Sequence, residues 1–84
     1  ALTFHVRPDY PEIARRAGLE GVVVVHVLVG PDGKVIDAVV VRRVHPLLDR
    51  AAQRAARLCR FTPAKQREIP VKAWLAVPYR FSLR

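Results

Sequence analysis

Between Val22 and Val41 the chain reads VVVVHVLV, GPDG, KVIDAVVV, two valine-dense segments parted by four turn residues. Branching at Cβ restricts a side chain in a helix and costs it little in an extended strand, so both segments favour β structure. In Gly30-Pro31-Asp32-Gly33 the proline presets φ, the aspartate can bond its own backbone and the last glycine accepts positive φ. The pattern predicts an antiparallel hairpin of Val22–Val29 and Val35–Val41, ended by His45-Pro46. In a chain of 84 residues, everything else has to pack around that hairpin.

The segments on either side supply the packing. YPEIARRAG predicts a short helix over Pro11–Ala17, with proline in the first turn, Gly18 as a left-handed stop, and Ile13, Ala14 and Ala17 facing inward. At about 100° per residue, Leu47, Leu48, Ala51, Ala52, Ala55, Leu58 and Cys59 share one apolar arc. Arg50, Arg54, Arg57 and Arg60 share the opposite arc, so Leu47–Arg60 reads as an amphipathic helix. Pro46 starts it, Asp49 complements its positive end, and Phe61-Thr62-Pro63 stops it. TPAKQREIP then reads as a polar loop.

Val71–Arg84 predicts the last strand by alternation. Val71, Ala73, Leu75, Val77, Tyr79, Phe81 and Leu83 take one face; Lys72, Trp74, Ala76, Pro78, Arg80, Ser82 and Arg84 take the other, which is expected to be solvated. Ala1–Asp9 reads as an extended arm whose Phe4 and Val6 touch the core. The order α–β–β–α–β gives an α+β class. The expected architecture is a two-layer sandwich with a three-stranded antiparallel sheet and two helices on one face. One domain over 1–84 is expected, an arm over 1–9 and a globular core over 10–84.

Pro78 lies inside that last strand. Proline offers no N–H to a ladder, so in sheets it belongs to edges, strand starts or bulges. Its place predicts that the last strand is an edge strand with the proline nitrogen on the open side.

Several chemistries lack their residues. Ser82 is the only serine and has no flanking glycine, so there is no nucleophile elbow. Gly30 and Gly33 bracket a turn and do not open a helix, so they form no phosphate cradle. His5, His26 and His45 are scattered without the paired spacing of zinc sites, and the acidic residues suggest no general acid/base pair. Cys59 is the single cysteine, so no intrachain disulfide forms. Neither an enzyme nor a cofactor or metal site is expected. The formal charge of +8 predicts attraction to anionic partners without naming one.

The residues that carry a resemblance come in a fixed order. They are Tyr10-Pro11-x-x-Ala14, Gly21 with its valine-rich strand, Pro31-Asp32-Gly33-Lys34-Val35, the alanine-rich helix reaching Cys59-Arg60-Phe61-x-Pro63-Ala64, and Val77-Pro78-Tyr79-Arg80-Phe81. Together, from Tyr10 to Leu83, they resemble the C-terminal domain of the TonB family of energy transducers. The resemblance implies a periplasmic domain tied to the inner membrane by an N-terminal helix and a proline-rich linker that lie outside this chain. It implies coupling through that missing part to a proton-driven motor complex. It also implies binding of the TonB box of outer-membrane transporters by strand addition, with force transmitted for uptake of iron chelates or vitamins.

If odd residues of the last strand bond to its neighbour, the even ones offer their backbone to an incoming peptide. The expected docking residues are therefore Lys72, Trp74, Ala76, Pro78, Arg80 and Ser82, together with Val71, where the pairing strand begins. An unpaired last strand is also a natural site for strand exchange between two copies. Two alternatives stand beside this reading. One is a basic nucleic-acid-binding module using the arginine stripe, against which counts the lack of stacking aromatics beside it. The other is a TonB-like interaction domain of another envelope complex.

Overall fold

The computed structural model describes residues 2–83, and the side chains of residues 5–83. Its order is β1 (Leu2–Phe4), α1 (Glu12–Arg16), β2 (Gly21–Val29), β3 (Val35–Arg42), α2 (Pro46–Leu58), β4 (Arg60–Phe61), β5 (Ala64–Gln66), β6 (Ile69–Val71) and β7 (Ala73–Phe81). The expected hairpin is β2–β3, antiparallel, with β2 in the middle of a three-stranded sheet ordered β3-β2-β7. Gly33 closes its turn at φ +84, donating to the Gly30 carbonyl at 3.0 Å and accepting from Phe61 N–H at 3.0 Å. A Cβ there would stand 2.2 Å from the Phe61 carbonyl oxygen, so only glycine lets β4 approach the turn.

One layer of helix covers one face of this sheet. Val23, Val25, Val27 and Val29 of β2 are buried against Leu48, Ala52, Ala55, Ala56 and Cys59, and Val77, Tyr79 and Phe81 of β7 complete the core. Burying four valines and a leucine contributes roughly 1.5–3 kcal/mol per side chain, the main favourable term for so small a core. The alanines of α2 let it lie close to the strands. His45 caps this helix, its Nδ1 accepting from Leu47 N–H at 3.1 Å, and Asp49 Oδ1 accepts from Val44 N–H at 2.9 Å.

Five details depart from the sequence reading. The buried arc of α2 is rotated: Ala56 is inside, and Leu58 is 57 % exposed at the helix end. In α1 only Ala14 is buried, and Ile13 is 70 % exposed, because a single turn of helix offers one inward position. The expected arm carries β1, which pairs with β4; Val6 packs on the core as expected, whereas the Phe4 side chain lies outside the described residues. TPAKQREIP is no loop: β5 and β6 pair antiparallel through Arg67 and Glu68, both at positive φ of 52° and 69°.

The last strand is shorter than expected. β2 supplies partners only from Gly21, opposite Phe81, to Val29, opposite Ala73. Beyond Val29 the chain turns at Gly30, so Val71 pairs with Ala64 instead and Lys72 links β6 to β7. Ser82 and Leu83 follow the strand, and Leu83 N–H donates to Glu20 Oε1 at 2.9 Å.

Candidate functional site

β7 lies at one edge of the sheet, as its proline requires. Nine of its residues pair with nine of β2 in unbroken register, Pro78 opposite Val24. Which way each backbone group points follows from contacts on both sides of β2. Gly30 N–H donates to the Lys34 carbonyl at 2.8 Å, so an even-numbered residue of the β2 side bonds toward β3. Ala38, opposite Val27, spends its own groups elsewhere: its N–H goes to Asp37 Oδ1 at 2.8 Å and its carbonyl accepts from Gln53 Nε2 at 2.7 Å. Val27 and the other odd residues of β2 are thus left to bond β7. In an antiparallel ladder these alternate. The odd residues of β7 therefore bond β2, and Trp74, Ala76, Pro78 and Arg80 turn their backbone groups to the open side.

The geometry explains the proline. At Pro78 the ladder loses nothing, because the missing N–H would have pointed outward. On the outer side Trp74 and Ala76 offer N–H and C=O groups, Pro78 a carbonyl alone, and Arg80 both groups again.

The seven expected docking residues divide. Trp74, Ala76, Pro78 and Arg80 share the exposed side of β7. Val71 lies in the β5–β6 hairpin, Lys72 in the link, and Ser82 past the strand end, so these three stand outside the continuous edge.

The arm adds residues that alternation in the last strand does not reveal. The His5 ring stacks on Tyr79 with centroids 6.2 Å apart, and Tyr10 meets Phe81 edge-on at 5.4 Å. The Tyr10 hydroxyl donates to the Leu19 carbonyl. A groove of about 320 Å³ lies between the arm and 78–82, lined by His5, Arg7, Tyr10, Pro78 and Arg80 among others. The arm thus flanks the Pro78 end of β7, and 73–77 is its freer half. Beneath it, the Tyr79 hydroxyl and Cys59 Sγ lie 3.3 Å apart in a buried hydrogen bond. Burial first, and then that bond, push the Tyr79 phenol well above its ordinary pKa.

Other candidates stay apart. Among the described residues no three His, Cys, Asp or Glu side chains gather as a metal site, and no helix is long and apolar enough to cross a membrane. Arg50, Arg54 and Arg57 line a shallow groove on the outer side of α2 with Gln53.

Comparison with known proteins gives concordant results. The family model of the Gram-negative bacterial TonB protein C-terminal region matches residues 6–83. Protein tonB2 of Pseudomonas aeruginosa is 35% identical over 77 residues, covering 90% of this chain and 28% of the relative. The chain therefore spans little more than a quarter of that relative's length. The solution structure of the Helicobacter pylori TonB C-terminal domain superposes with a TM-score of 0.70 at 30% identity, over 93% of this chain and 83% of that one.

Proposed function

This chain belongs to the family of Gram-negative bacterial TonB C-terminal domains, and on that premise we propose that it serves as the periplasmic, transporter-binding domain of an energy transducer. An extended segment, the TonB box of an outer-membrane transporter, adds as a fourth strand beside Trp74–Arg80. Main-chain hydrogen bonds hold it, and the neighbouring side chains select it. Force generated by a proton-driven complex in the inner membrane then reaches the transporter through this added strand. The cargo class is iron chelates or vitamins. The protein acts by binding and pulling, with no reaction chemistry of its own.

The observation that carries the reading is the bulge-free run of β7 at the sheet edge, with alternate backbone groups directed outward. Its charge agrees, since a domain of +8 attracts an acidic segment. Titration of labelled protein with an acidic TonB-box peptide tests it. The expected result is amide shifts concentrated at 73–77, where the arm does not flank the edge. Shifts confined to α1 and α2 would refute the reading and would favour nucleic-acid or other binding at the arginine stripe.

A further inference from the structure

The sheet has a second exposed apolar surface, the face turned away from the helices. Val22, Val24, His26 and Leu28 of β2 lie on it, because their odd neighbours point into the core. Cross-strand pairing places Val39 beside His26 on β3, and Trp74, Ala76 and Pro78 beside Leu28, His26 and Val24 on β7. Trp74 is 54 % exposed and Val39 44 %. An antiparallel sheet with one solvated face normally alternates apolar with polar residues. VVVVHVLV does not alternate: three of its four open-face positions, Val22, Val24 and Leu28, are apolar and only His26 is polar, close to the composition of a strand covered on both faces.

We infer that this open face is a docking site for an acidic amphipathic helix of a partner protein. Three strands at about 4.8 Å spacing make a face about 14 Å wide, which one helix about 10 Å across can cover, as α2 does on the opposite side. The occupant's charge follows from the rim. Arg42 opposite Val24 and Arg80 opposite Val22 are both exposed there. The one acid on the face, Asp37, leans onto its own strand to accept from Ala38 N–H. A second copy of the chain would set +8 against +8, and a hydrocarbon surface would have to desolvate Asp37 and His26. Glutamates flanking a leucine stripe meet both requirements. This surface is distinct from the β7 edge: it uses side chains across all three strands, whereas strand addition uses main-chain groups of one.

Trp74 is the only tryptophan, so its emission reports on the face directly. The probe is a designed helix with leucines on one side and glutamates on the other. The expected result is a shift of Trp74 emission to shorter wavelength and protection from acrylamide, saturable and weakened by salt. Val39→Asp, on the strand farthest from the β7 edge, should weaken binding at least about tenfold by planting a charge in an apolar contact. Arg42→Glu should weaken it too, and both variants should keep TonB-box peptide binding. Val39 is half exposed, so its variant should retain the wild-type circular dichroism; if it does not, the smaller polar change Val39→Asn replaces it. Four results would overturn the inference: no Trp74 response to the acidic helix, an equal response to the same helix with lysines for glutamates, a response only to vesicles of phosphatidylethanolamine and phosphatidylglycerol, or a response to protein concentration alone.

Discussion

The two edges of the sheet are built from similar residues and treated in opposite ways. β3 and β7 each flank β2, and each is mostly apolar, β3 through valines and β7 through alanine, leucine, aromatics and a single valine. At the β3 edge, β4 comes up against the turn through Phe61 N–H and the Gly33 carbonyl, and Asp37 and Gln53 occupy both backbone groups of Ala38. The register of β3 also slips twice against β2, between Val24 and Val25 and between Leu28 and Val29. Bulges and occupied groups are how sheets discourage unwanted pairing. Among the described residues β7 shows neither, and the interruption it carries is Pro78, which withholds one outward donor. The difference teaches that an open edge in a small sheet is a choice, since the means of closing one are present in the same molecule.

The comparison can be broken by moving proline one position. Val77→Pro puts the missing N–H on the β2 side and truncates a buried side chain. It should cost about 3 kcal/mol or more and unfold much of the population, measured by urea denaturation. The inward side of β7 can also be probed by pH. Tyr79 has a phenol pKa raised above its ordinary value near 10, so the neutral form is the one the fold favours. The stability this confers is present in full below pH 10 and is lost as pH rises through the folded pKa. Unfolding free energy should fall above pH 10 by up to about 1.4 kcal/mol per pH unit, and Tyr79→Phe should flatten that slope.

At the closed edge the expected effects are smaller. Gln53→Ala leaves the Ala38 carbonyl without its side-chain donor, costing about 1 kcal/mol in thermal or urea unfolding. It should also raise self-association, seen by light scattering over a concentration series, because β3 then offers an acceptor to another chain. Unchanged behaviour would mean that the register slips alone close this edge.

The sequence made the open edge easier to read than the closed one. Pro78 inside an alternating run implies an edge from a single residue, and Gly30-Pro31-Asp32-Gly33 implies the hairpin from four. Gln53 carries no such mark: it is one polar residue on a helix, and its partner, Ala38, becomes a neighbour only after α2 has packed beside β3. The β5–β6 turn was hidden for a local reason, since Arg67 and Glu68 take the left-handed conformation that glycine or asparagine usually signals. The limits of β7 were hidden because pairing length is set by β2, and alternation alone continues through Val71 and Leu83. The exposed side of β7 in register with β2 was legible in the alternation, and the flanking arm was not. Its contacts, His5 on Tyr79 and Tyr10 on Phe81, join residues far apart in the chain.

The most direct test of the edge account is the affinity of Ala76→Pro for an acidic TonB-box peptide, measured beside its unfolding curve. Ala76 shares the orientation of Pro78, so a proline there spares the ladder to β2 and removes one more outward donor. The account predicts stability within about 1 kcal/mol of the parent and affinity lower by about three- to tenfold, the worth of one main-chain hydrogen bond. Unchanged affinity with unchanged stability would contradict it.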